Sequence, residues 1–325
     1  MPAITADPAV LPRIKATLEQ RVDSREPLQV VTSHQQLEGG GFNIYRPFPG
    51  HLSLADADPF LMLDQMGPYL NAPEEAVGAP WHPHRGFETV TYVLDGEVSH
   101  NDSNGGGGLI GEGDTQWMTA GAGILHDELP TERFYRSGGP SHGVQLWVNL
   151  PRRLKMTDPR YQSLLAGDLR LLTSQDGSTL IRLIAGEIAG FSGPGITHTP
   201  ISLVHMTVPA DGFVVFPWKS QFNALVYVLS GDGFVGSGEQ PIHAHQLAQL
   251  GPGQSIQLRA AKHMTDGTGA LDVLVSGGRP IREPIASYGP FVMNTKDEIA
   301  TAIDDYQSGR LGQIPPNQLT PRRFS

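Results

Sequence analysis

Apolar and polar positions through the middle of the chain alternate in short runs. Each run is closed by a turn signal after about 8–12 residues, the rhythm of an antiparallel sandwich or barrel. Glu88-Thr-Val-Thr-Tyr-Val-Leu94 is one such run, rich in β-branched and aromatic residues. It stops at Asp95-Gly96, a dipeptide suited to the positive φ of a tight hairpin. Further strands are predicted at Gly143–Asn149, Leu180–Ala185, Ile201–Val208, Ala224–Leu229 and Leu271–Val275. Helical spacing is confined to the ends. Leu11, Ile14 and Leu18, interleaved with Arg13, Lys15, Glu19 and Arg21, predict an amphipathic helix before residue 26. Near the other end Thr295-Lys-Asp-Glu298 forms a capping box, Ile299, Ile303 and Tyr306 share a face, and Gly309 is the stop.

The strand pattern repeats. Thr91-Tyr-Val-Leu-Asp-Gly96 is echoed by Val226-Tyr-Val-Leu-Ser-Gly231, and Ile110-Gly-Glu-Gly-Asp114 by Leu250-Gly-Pro-Gly-Gln254, about 135 and about 140 residues later. Two β-barrel or jelly-roll domains of one type, joined near residues 155–180, account for both echoes.

Composition narrows the chemistry. Among 325 residues there is no cysteine, which removes disulfides, zinc ribbons and thiolate nucleophiles. With 23 Lys+Arg against 33 Asp+Glu the net charge is -10, so no direct nucleic-acid binding through bulk attraction is expected. No apolar run approaches the roughly 18 residues of a membrane span, and the first residues carry no unbroken apolar signal core. A cytoplasmic, non-membrane protein is the expectation.

The strongest chemical signal is Trp81-His-Pro-His-Arg-Gly-Phe-Glu88. On an extended segment residues i and i+2 face the same way, so His82 and His84 can converge on one ion. With 12 histidines in the chain a lone His-x-His is weak evidence, and His243-Ala-His245 is a second example. Company distinguishes the first. His126-Asp-Glu128 follows a hairpin, the glycine run Gly105 to Gly108 and the Gly111-Glu-Gly-Asp114 turn, a path that brings a barrel strand back to the same mouth. Three imidazoles and one carboxylate leave two positions of an octahedron open, which suits Fe(II), Mn(II), Ni(II) or Cu(II) with a chelating substrate and O2. His243 and His245, just before the Leu250-Gly-Pro-Gly turn, read as strand-end histidines.

His82-Pro-His-Arg-Gly-Phe-Glu-Thr-Val90, Gly113-Asp-Thr-Gln-Trp-Met-Thr-Ala-Gly121, Gly123-Ile-Leu-His-Asp-Glu128, Gln145-Leu-Trp-Val-Asn-Leu150 and Gly289-Pro-Phe-Val-Met-Asn-Thr295 together resemble the pirins, a family of the two-domain cupin superfamily, as does Asp58-Pro-Phe-Leu-Met-Leu-Asp64. The resemblance spans roughly residues 40–310. It implies an all-β chain of two tandem cupin (double-stranded β-helix, jelly-roll) barrels with short terminal helices. The expected bounds are a helical extension over 1–26, a metal-binding cupin domain over 27–160, a cupin domain without ligands over 161–293, and a helix and tail over 294–325. The metal ligands it implies are His82, His84, His126 and Glu128, holding one divalent transition metal per chain, usually iron. Glu88, where the general cupin pattern has its carboxylate, is not a ligand in pirins. Carried along the repeat, His82, His84 and Glu88 fall on Pro217, Lys219 and Asn223, and His126 and Glu128 on Asp266 and Thr268, none a matching set.

By the same resemblance the activity is that of a quercetin 2,3-dioxygenase, opening a flavonol with O2 and releasing carbon monoxide; Glu128 is ligand and candidate base, with a bound water as the alternative proton acceptor. His100 and Gln116 are candidates to steady ligands or substrate, and Phe87, Trp117 and Met118 to line the pocket. A second function class is an iron-binding, redox-sensitive transcriptional co-regulator that contacts a protein partner without turnover. The lone Arg46 and the acidic balance count against it. Arg322 and Arg323 in the tail read as solvated.

Overall fold

The computed structural model describes residues 5–38 and 41–316. The chain divides into two compact units. One, the first barrel, takes the described residues of 35–45, 60–166 and 281–325; the other, the second barrel, those of 1–34, 46–59 and 167–280. Arg322 and Arg323 lie outside the described residues.

Each unit is built on a seven-stranded and a four-stranded antiparallel sheet, and the strand order is the same in both. In the first barrel the larger sheet runs Arg160–Leu164, Thr115–Thr119, Phe87–Asp95, Gly139–Asn149, Phe60–Asn71, Phe42–Phe48, His34–Glu38. Its counterpart runs Pro27–Thr32, Gln246–Leu250, Ala224–Ser230, Ala270–Gly278, Ile201–Pro209, Leu180–Ala185, Arg170–Thr173. The smaller sheets run Ala79–His84, Ile124–Pro130, Val98–Asp102, Gly107–Ile110 and Phe213–Pro217, Ser255–Ala260, Asp232–Val235, Gln240–His243. All six strands expected from the alternation pattern are present.

The topology corrects the second echo. Leu250-Gly-Pro-Gly-Gln254 joins the strands that stand where Thr115–Thr119 and Ile124–Pro130 stand in the first barrel. Its counterpart is therefore Ala120-Gly-Ala-Gly-Ile124, one hairpin later than Ile110–Asp114. Glycine spacing alone cannot distinguish neighbouring hairpins. His126 and Glu128 then correspond to Ile256 and Leu258, and not to Asp266 and Thr268. Ile256, Leu258, Val214 and Phe216 all lie in the apolar core of the second barrel.

Packing departs from chain order at both ends. Pro27–Thr32 pairs with Gln246–Leu250 and supplies the edge of the second barrel's larger sheet, a place that Arg160–Leu164 fills in the first. Arg25 anchors this segment, its buried guanidinium donating to the carbonyls of Gly251 (2.9 Å) and Phe222 (2.8 Å). The expected helix before residue 26 shrinks to Leu18–Val22, started by a Thr17–Gln20 capping box. Upstream, Ile14 donates to Thr173 O and Thr173 to Pro12 O, an extended pairing that takes Ile14 into the second core. Leu18 is left 82% exposed, so the apolar spacing that looked helical serves two separate elements. The Thr295 capping box does form, opening the Lys296–Gln307 helix, which buries Ile299 and Ala302. No described helix is long and apolar enough to cross a membrane.

Candidate metal centre

The smaller sheet of the first barrel places the site. Ala79–His84 carries prolines at 80 and 83, which hold the preceding residues extended, so His82 and His84 emerge on one face. Ile124–Pro130 lies between that strand and Val98–Asp102, with His126 opposite His82 on one side and Glu128 opposite His100 on the other. A register shift between His126 and Glu128 interrupts the first ladder there.

Three imidazoles meet. Ring centroids of His82 and His126 lie 4.2 Å apart, of His82 and His84 4.8 Å, and of His84 and His126 4.9 Å. His82 Nδ1 faces Pro80 O at 2.7 Å and His84 Nδ1 faces Pro290 O at 3.4 Å. A carbonyl only accepts, so each Nδ1 carries a proton, and in the neutral ring Nε2 is then the bare lone pair. Those two Nε2 atoms stand 3.1 Å apart, where two neutral rings of these tautomers repel unless a proton or a cation lies between them. A cation resolves the conflict: two nitrogens bound at right angles with bonds of about 2.1 Å sit about 3.0 Å apart. His126 Nε2 is buried without a hydrogen-bond partner. Burial, reinforced by the neighbouring imidazoles, holds His84 and His126 well below the ordinary histidine range, so both are neutral and able to ligate at neutral pH. The donor set fits a divalent transition metal.

Glu128 borders the same cluster, its carboxylate grouped with His100 and His126. Three side chains hold it: Thr91 Oγ1 (2.8 Å) and Gln116 Nε2 (3.3 Å) donate to Oε1, and Gln145 Nε2 (3.0 Å) to Oε2. Trp147 Nε1 donates to Gln145 Oε1 at 3.3 Å, which turns the amide's N–H groups toward the carboxylate. Thr91 and Glu128 meet through the face of Phe87–Asp95 that also bears Phe87. Glu88 points the other way, accepting from Thr119 Oγ1 at 2.7 Å, so it stands apart from the imidazoles.

Of the expected wall residues, Phe87 lies edge-on to His84 at 5.0 Å and against Trp147 at 4.3 Å. Met118 shares the Gln116 face of its strand and packs with Ala120 and Ile124. Trp117 is a correction: the strict alternation of Thr115–Thr119 turns it to the opposite face from Gln116, so it does not line the site. His100 is fully buried beside His126, Nδ1 to Nδ1 at 3.3 Å. His82, Gln145 and Trp147 are half-buried and mark the open side. Sequence reasoning missed Thr91, Gln145 and Trp147, although period-2 alternation from Phe87 finds Thr91. Pro290 gave no local signal, since its role is a backbone carbonyl.

Among the described residues, the converging groups of three metal-competent side chains are His82/His84/His126 and His100/His126/Glu128, joined through His126. In the second barrel the His243 side chain is 57% exposed and its Nδ1 faces Asp232 Oδ1 at 2.8 Å, at the end of Gln240–His243.

Two family models match the chain, Pirin over residues 41–148 and the Pirin C-terminal cupin domain over residues 203–312. A pirin-like protein of Solanum lycopersicum is 40% identical over 283 residues, covering 87% of this chain and 91% of its own length. Pirin of Homo sapiens is 38% identical over 285 residues, covering 87% of this chain and 92% of its own length. A crystal structure of quercetin 2,3-dioxygenase from Acinetobacter baumannii superposes with a TM-score of 0.83 at 38% identity, covering 90% of this chain and 100% of that one.

Proposed function

Because the chain belongs to the pirin family and is built of two cupin barrels, we propose that it is a metal-dependent dioxygenase that opens the central ring of a flavonol such as quercetin with O2, releasing carbon monoxide. One observation carries the reading: two imidazole Nε2 atoms converging to 3.1 Å beside an unpartnered third and a carboxylate, with an open side. The relative from Acinetobacter baumannii named for that activity supports the substrate class.

In this reading His82, His84, His126 and Glu128 hold one ion per chain, Fe(II) by preference, with Mn(II), Ni(II) or Cu(II) as alternatives. When bound, the ion supplies Lewis-acid and redox chemistry toward a chelating enol and dioxygen. The rest falls to the chain. Glu128 takes the proton of the flavonol 3-hydroxyl, and the bonds from Thr91, Gln116 and Gln145 stop its carboxylate from swinging away. Gln145 and Trp147, on the half-buried side, orient the incoming ring system. Phe87 and Met118 form the apolar floor that keeps water from the reacting carbons.

Metal-free protein reconstituted without oxygen with each of the four ions, then given quercetin and air, should consume O2 and release carbon monoxide in step with at least one of them. No turnover with any ion removes the dioxygenase and leaves metal-dependent protein binding as the function.

A further inference from the structure

Two of the three imidazoles are settled by groups that only accept. Pro80 O and Pro290 O each require a proton on the Nδ1 they face, which leaves Nε2 as the nitrogen that His82 and His84 can offer to an ion. His126 differs, because its Nδ1 faces another imidazole, and a ring nitrogen can donate or accept. Something beyond the pair has to decide which ring donates.

Asp102 is placed to do so. It lies on the Val98–Asp102 strand two residues after His100. Its Oδ1 accepts from the backbone N–H groups of Asn104 (2.8 Å) and Gly106 (2.9 Å), and its Oδ2 faces His100 Nε2 at 3.7 Å. That gap is longer than a formed hydrogen bond, yet a buried carboxylate at this range favours the tautomer that aims its N–H at it. Tyr161 stacks on the His100 ring at 5.0 Å and fixes its plane.

Resting on the metal reading above, we infer that Asp102 and His100 are positioning residues that lock His126 with its proton on Nδ1 and Nε2 bare for the ion. The donors run in one direction. His126 Nδ1–H donates to His100 Nδ1, and His100 Nε2–H points at Asp102 Oδ2. The glycine run ends the chain, since a Cβ on Gly106 would fall on Asp102 Oδ2. A loop that looks like a simple turn thus serves the site from its buried side.

Histidine-selective 15N labelling of metal-free protein reads the tautomers, and Ni(II) titration calorimetry at one pH reads affinity. Wild-type protein should show Nδ1–H on His126 and Nε2–H on His100. Asp102→Asn keeps an oxygen for the loop amides but turns an N–H toward His100 Nε2, so both rings should exchange tautomers while His82 and His84 keep theirs. Ni(II) affinity should then fall roughly 10–100-fold. His100→Phe, which retains the stack on Tyr161, should lose affinity similarly. Nε2–H on His126 in the wild type, unchanged tautomers in Asp102→Asn, or unchanged affinity in both variants overturns the inference. A wild type with the assigned tautomers that binds none of Ni(II), Fe(II), Mn(II) or Cu(II) sinks the metal reading itself, and the relay's purpose with it. Failure of the relay alone shows as wrong tautomers in a protein that still binds nickel.

Discussion

An imidazole offers one lone pair to a cation, so whatever faces its other nitrogen determines whether it can ligate at all. His82 and His84 meet that condition through carbonyls; His243 meets it through Asp232 Oδ1, but it stands on an exposed strand end and belongs to neither converging group among the described residues. Glu128 meets the corresponding condition for a carboxylate, with three donors setting its orientation. Iron content after anaerobic loading and desalting should therefore fall at least about tenfold in His82→Ala and Glu128→Ala, by the usual cost of lost ligand geometry, and stay near one per chain in His243→Ala. Equal iron in all three variants refutes the assignment. These residues were legible in the sequence because i, i+2 spacing on a strand is a local property. Thr91, Gln145 and Pro290 were not, because their contacts depend on which strands pair and in what register.

Elements explain why a residue 206 positions away reaches His84. The Phe291–Met293 strand lies along Arg85, with Arg85 donating to Pro290 O and Val292 to Arg85 O, and Lys155 Nζ ties Gly86 O to Val292 O. Gly86 permits this approach. Its φ is +91, and a Cβ there would fall on Val292 O. Gly86→Ala combines backbone strain with that collision, an expected loss of about 1–3 kcal/mol. Urea unfolding should show the loss, and hydrogen exchange should speed at residues 291–293. Unchanged exchange there would mean the strand does not depend on the glycine. The same scale shows where pattern reading breaks down. Strands ending at Asp95-Gly96 and the Thr295 capping box are written in neighbouring residues, and both formed. Leu11, Ile14 and Leu18 carry equally good helical spacing, yet the free edge near Thr173 draws Ile14 into extended pairing, a tertiary demand that no local pattern records.

At the scale of the whole molecule, one strand order supports two opposite interiors. Where the second barrel packs Val214, Phe216, Ile256 and Leu258 into a continuous apolar core, the first sets His82, His126 and Glu128 on the equivalent strands. Apolar contacts stabilise the former unconditionally. The latter gathers lone pairs whose mutual repulsion and lost hydration a bound cation would compensate, so in that barrel metal-binding free energy would be folding free energy. At free metal about 100 times Kd the gain is about 2.7 kcal/mol. Stripping the metal should therefore raise hydrogen exchange in Ala79–His84 and Ile124–Pro130 while leaving Phe213–Pro217 and Ser255–Ala260 unchanged. Exchange that rises equally in both pairs of strands, or in neither, would show that the ion does not bear on the first barrel in this way.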